Sequence, residues 1–157
     1  MGTPLGLDQG ITRAIATGDV DGDGKLDLAM AGQWGPSYFY RNTTPAAGQS
    51  LDLRLLRPVG PGGKAAIASG PAGDALDGIP VIGAEATVTL PGGRRLSAQV
   101  DGGNGHASVR SSALHFGLGD LPAGTTIAVR VTWRSTDGTQ QSREYSVTAG
   151  RWSIVLS

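Results

Sequence analysis

From residue 83 to the C-terminus, short runs of alternating apolar residues are cut by glycine-rich turns, a pattern that buries itself most readily as stacked β-sheets. The runs are GAEATVTL, RRLSAQV, HASVRSS, TIAVRVTW, TQQSREYSV and WSIVL, with PGG, DGGNG and STDG among the breaks. Successive strand side chains point to opposite faces, so Ile127, Val129, Val131 and Trp133 share one face of TIAVRVTW. That makes it the clearest core strand of the chain. Upstream, SLDLRLLR places Leu51, Leu53 and Leu55 on one side and Asp52 and Arg54 on the other. The 26 glycines and 9 prolines, with many Thr, Val and Ser, suit short strands and tight turns better than helices. The expected fold class is all-β, with a sandwich-like or barrel-like C-terminal domain.

The N-terminal part reads as a strand ITRAIAT, the loop DVDGDGKLD, a strand KLDLAMA, the turn GQWGPS and a strand YFYRN. This is a three-stranded β-meander. Its loop carries Asp19, Asp21, Asp23 and Asp27 at positions 1, 3, 5 and 9, with the Lys25 carbonyl at position 7. Calcium takes six to eight oxygens, and a tight turn lets alternate side chains converge on it while a carbonyl fills the gap. Gly24, at position 6, allows the sharp bend, and the Lys25 side chain is free to point to water. An EF-hand needs a Glu at position 12 and flanking helices, whereas position 12 here is Met30 and the flanks are strand-like. A plain Asp-Gly turn is the simpler reading. It does not account for four carboxylates in nine residues, since two unit charges about 4 Å apart repel by roughly 1 kcal/mol even in water.

Thirteen basic residues balance thirteen acidic ones, so no long-range field draws in nucleic acid or an anionic membrane. Without cysteine there is no disulfide, thiolate metal site or Cys nucleophile. No run approaches the 18 apolar residues of a membrane span, and MGTPLGLDQG has neither the basic region nor the apolar stretch of a signal peptide. Calcium loops of modest affinity fill where calcium is millimolar, which points to a secreted or periplasmic setting. The connector TTPAAGQS divides the chain into residues 1–45 and 46–157. Residues 58–80, rich in Gly, Ala and Pro without period, read as a long loop without strands of its own.

Other residues carry weaker signals. His106 and His115, the only histidines, could hold a metal or move a proton, but a structural hydrogen bond or an exposed strand position explains each more simply. Ser108, Ser111 and Ser112 lack the strained turn and oriented base of a nucleophile. Asp74 and Asp77 lie in the 58–80 loop, where solvation is the simpler reading than a glycosidase pair. Trp34, Tyr38, Phe39 and Tyr40 form the densest aromatic cluster, either a contact surface for sugar or protein or the cover of the hairpin. Trp133 and Trp152 read as core.

DVDGDGKLDLAMA followed by an aromatic strand and RN resembles the FG-GAP (VCBS) repeat, the blade unit of integrin-α-like propellers. That resemblance implies calcium on Asp19, Asp21, Asp23, the Lys25 carbonyl and Asp27. LDLRLL, DGIPVIGAEATVTLPGGRR, GNGHASVRSSALHFGLGD, IAVRVTW and VTAGRWSIVL together resemble the ASPIC/UnbV domain, which follows FG-GAP repeats in cartilage-acidic-protein-like and enediyne-cluster proteins. Departures are WRSTDG in place of a W-P-x-G turn, His106 in place of an aromatic, and an insertion-like stretch at 60–76. The resemblance implies that the chain is the C-terminal piece of a longer protein, its meander a propeller blade remnant contacting further blades. Self-association through an unpaired blade edge is a further expectation.

The expected function is a non-catalytic, calcium-binding extracellular module acting in adhesion or in binding a protein or carbohydrate partner. The alternatives are an enzyme or enzyme accessory of a natural-product pathway, implied by the UnbV resemblance alone, and a purely structural propeller cap.

Overall fold

The computed structural model describes residues 11–45, 48–60, 62–70, 74–103 and 111–157. The chain divides into two compact units: of the described residues, the first carries 11–45 with Gly103 and Ser111, and the second carries those between 48 and 102 and 112–157.

In the first unit, strands β1 (Thr12–Gly18), β2 (Asp27–Gly32) and β3 (Tyr38–Tyr40) form an antiparallel meander in sequential order. Ile15, Met30 and Tyr38 stand opposite one another across the three strands, as do Thr17, Leu28 and Tyr40. Period-two alternation puts these two rows on one face, where Met30 is buried and the Tyr38 and Tyr40 rings stack with centroids 6.2 Å apart. Phe39 faces the other way and is exposed, and Trp34, in the β2–β3 turn at φ 62°, is 92 % exposed. The aromatic cluster is therefore split between cover and solvent.

The second unit is a sandwich of two sheets. One has the order β11 (Gln140–Val147), β10 (Ile127–Arg134), β7 (Glu85–Thr89), β8 (Arg95–Gln99). The other runs β5 (Ala66–Ser69), β12 (Gly150–Val155), β4 (Gln49–Arg57), β6 (Ile79–Pro80), with β9 (Leu114–Gly119) also paired to β4. Leu51, Leu53 and Leu55 of β4, Ile154 of β12 and Phe116 of β9 meet Val88 of β7 and Ile127, Val129, Val131 and Trp133 of β10 in one buried cluster. The alternation read from TIAVRVTW and SLDLRLLR is the alternation of this core. Trp133 is buried within it and Trp152 packs partly buried against it.

One feature departs from the sequence reading. Residues 58–80 are not a strandless loop: β5 pairs antiparallel with β12, and β6 pairs with β4. The outer edge of β12 and the end of β4 otherwise leave backbone donors and acceptors unpaired, and two short pieces, Ala66–Ser69 and Ile79–Pro80, pair with them. Gly78 approaches so closely that a Cβ there would stand 2.6 Å from the Leu56 Cβ, which explains how the outward-facing Leu56 comes to be 2 % exposed. LHFGLG forms β9, and the strand expected over HASVRSS lies mostly outside the described residues, His106 and Ser108 included.

β11 is an edge strand whose side chains are mostly exposed Gln, Ser, Arg and Glu, a composition that discourages edge-to-edge pairing. Near its C-terminal end Tyr145 packs on the core, and among the described residues its buried hydroxyl has no hydrogen-bond partner. A buried, unbonded hydroxyl costs stability, so Tyr145→Phe is expected to leave the unfolding free energy unchanged or raise it by about 1 kcal/mol. Urea unfolding of the two proteins measures the difference. A clear loss in the variant would mean that the hydroxyl is bonded in solution.

Candidate metal centre

The β1–β2 connection is pulled into shape by its own carboxylates. Asp19 accepts the Gly22 and Gly24 N–H groups on separate oxygens at 2.8 and 3.0 Å. Asp21 accepts the Asp23 N–H at 3.3 Å, and Asp23 accepts the Lys25 N–H at 3.0 Å. These are the local bonds by which Asp side chains build turns. Gly24 has φ 82°, the left-handed region where a Cβ is strained, so the glycine at position 6 is a conformational requirement.

The result is convergence: one oxygen from each of Asp19, Asp21 and Asp23 lies within 4.8 Å of the others. Ligands around a calcium ion bound at about 2.4 Å stand no more than about 4.8 Å apart, so the three oxygens are close enough to share one ion. The set is all oxygen, the chemistry that hard cations take.

Asp27 is placed differently. It pairs with Gly18 at the base of the loop and is 3 % exposed, its Oδ2 accepting the Val20 N–H at 3.2 Å and its Oδ1 the Asn42 N–H at 2.8 Å. Asn42 in turn donates its side-chain amide to the Leu26 carbonyl at 3.3 Å. Asp27 therefore fastens the start of the loop to the segment after β3. Asn42 was not singled out from the sequence, because its partners lie 15 and 16 residues away.

Lys25 enters through its side chain as well as its backbone. Instead of pointing to water, its ammonium pairs with Asp23 Oδ2 at 2.8 Å, and Arg41 pairs with Asp21 Oδ2. Three carboxylates this close draw in whatever cation can reach them. The hydrogen bond from the Lys25 side chain, aided by its backbone N–H and by its charge and that of Arg41, holds the Asp23 carboxyl below its ordinary 3.8. A depressed carboxylate contributes stability that is complete above the ordinary value and is lost as pH falls through the lowered one. In calcium-free buffer the Asp23 carboxyl is expected to titrate below 3.8 by carbon-detected NMR, and to move back toward 3.8 in Lys25→Met. A titration at or above 3.8 in the parent would contradict this geometry.

The remaining singled-out residues fall elsewhere. His115 Nδ1 lies 2.8 Å from Asp52 Oδ1 across the β4–β9 pairing, a structural hydrogen bond between half-buried side chains. Asp74 lies 3.9 and 3.6 Å from the guanidinium groups of Arg54 and Arg151, so it is ion-paired rather than simply solvated. Asp77 is exposed.

A carboxylate loop able to hold a metal ion, set on a β-meander and followed by a β-sandwich, defines an all-β module with a candidate metal centre. Family comparison finds both parts: the FG-GAP repeat matches residues 12–50, and the ASPIC and UnbV family matches residues 77–155, half of the chain. The chain belongs to the ASPIC and UnbV family and carries an FG-GAP repeat ahead of that domain. FG-GAP repeats generally bind calcium and are typical of extracellular or periplasmic proteins. No curated protein gives a significant match to the chain.

Proposed function

We propose that this chain is a non-catalytic, calcium-binding module of a secreted or periplasmic protein, acting in adhesion through a protein or carbohydrate partner. The observation that carries the metal half is the convergence of Asp19, Asp21 and Asp23 within 4.8 Å on a loop shaped by their own hydrogen bonds. In this reading those three carboxylates and the Lys25 carbonyl hold the ion, and Asp27, at the base of the loop, completes the set. Calcium is structural here. It neutralises the clustered charge and holds β1 against β2.

A ligand present at 100 times its dissociation constant, and bound only by the folded state, stabilises by about 2.7 kcal/mol. Adding calcium to chelated protein is therefore expected to raise the melting temperature, and calorimetry is expected to register one site that Asp21→Ala removes. An unchanged melting temperature on chelation, with no difference between Asp21→Ala and the parent, would sink the metal half of the proposal.

A further inference from the structure

The outward face of the β11-β10-β7-β8 sheet is a grid of polar side chains, and a cavity lies at one corner of it. Gln99, Glu85, Thr132 and Ser142 stand opposite one another on four neighbouring strands, and Arg134 and Gln140 form the next pair toward the end of β10 and β11. An open cavity of about 410 Å³ lies over this corner, lined by Ile82, Glu85, Gln99, Thr132, Arg134 and Gln140.

The lining narrows the ligand class. Glu85 and Arg134 cancel in charge, so the cavity offers no net attraction to a phosphate, sulfate or polyanion. A single carboxylate with amides and a hydroxyl is too poor a set for a hard cation. The space is open and of mixed polarity rather than enclosed and apolar, which does not suit a lipid or an aromatic cofactor. What it presents is a mixture of donors and acceptors. Among the described residues the Glu85 carboxylate has no hydrogen-bond or ion-pair partner. Gln99 gives its amide N–H to the Gly83 carbonyl at 3.1 Å, an anchor that fixes the side chain. Arg134 uses one nitrogen on the Gly138 carbonyl at 2.9 Å, which braces the guanidinium without occupying all its donors. Ile82, 58 % exposed at the rim, supplies a small apolar surface.

A carboxylate that accepts two neighbouring hydroxyls, an arginine and amides that donate, and one aliphatic side chain for a C–H face together fit a pyranose ring. Beyond the cavity the next row holds Ser97, Thr87 and the ion-paired Arg130 and Glu144, and strands spaced about 4.8 Å apart give a polar surface on which further rings can lie. We propose that this cavity binds a neutral oligosaccharide, with Glu85, Gln99 and Arg134 as its principal polar contacts. The inference specifies the partner-binding half of the function proposed above and does not depend on the calcium half.

The test is titration of the full isotope-labelled chain with neutral hexasaccharides of glucose, mannose and N-acetylglucosamine, and with a heparin-derived hexasaccharide as the anionic arm. At least one neutral hexamer is expected to move the amide resonances of Glu85, Gln99, Thr132 and Arg134. Glu85→Gln and Gln99→Ala, both at exposed positions, are expected to weaken that binding by about tenfold, the effect of losing one good polar contact. Asp21→Ala leaves it unchanged, which separates this proposal from failure of the calcium reading. The proposal is overturned if no neutral hexamer moves these resonances at millimolar concentration, if only the anionic one does, or if both cavity variants bind as the parent does.

Discussion

Leu53→Ala is expected to destabilise the sandwich by about 3 kcal/mol and to lower its melting temperature by roughly 10 °C. Leu53 is fully buried at the middle of β4, where its neighbours across the sheet are Trp152 of β12 and Leu114 of β9. Truncation removes the transfer free energy of the lost carbons and leaves a cavity, because a residue held between two paired strands cannot be filled in by a backbone shift. Ile67 on β5 provides the control. It is 44 % exposed, so Ile67→Ala removes less buried area and is expected to cost under about 1 kcal/mol. Chemical unfolding of both variants, followed by circular dichroism, ranks them. Equal losses at the two positions would mean that the core does not lie between the two sheets.

Asp27→Ala is expected to destabilise the N-terminal meander by about 3 kcal/mol and to abolish calcium binding with it. Two effects oppose each other at this position. Removing one of four neighbouring carboxylates relieves repulsion, worth roughly 1 kcal/mol at about 4 Å in water and less at greater separation. Against that, the Val20 and Asn42 N–H groups lose a buried charged acceptor, at about 1 to 3 kcal/mol for each stranded donor. Loss of the bonds therefore outweighs relief of the charge. Asp21→Asn makes the contrasting case, since Asp21 is partly exposed, accepts one backbone bond within the loop and otherwise pairs with the exposed Arg41. It is expected to weaken calcium while leaving the metal-free meander folded. Hydrogen exchange at β1 and β2 in calcium-free buffer distinguishes the two variants, and the proposed role of Asp27 is wrong if they exchange alike.

Much of this was legible in the residues. Strand alternation in SLDLRLLR and TIAVRVTW depends only on period two, and both runs form central strands with the expected faces inward. The convergence of Asp19, Asp21 and Asp23 was legible for a related reason, since its hydrogen bonds span two to five residues. Missed features lie where partners are remote or the local signal is bland. β5 and β6 have no period of their own and become strands because β12 and β4 offer them unpaired backbone. Lys25 read as solvated because its attraction to Asp23 depends on how the turn folds, not on composition.

The sequence by itself determined the all-β class, the inward faces of the long strands and the acidic loop with its glycine bend. Those depend on contacts close along the chain, which spacing encodes directly. Only the tertiary structure decided the parallel pairing of β4 with β12, which joins residues about a hundred positions apart. It also decided the burial of Asp27 beneath Asn42 and the row of Gln99, Glu85 and Thr132 across neighbouring strands. Each depends on strand order and register, and register follows from how two sheets bury a shared core rather than from any one segment.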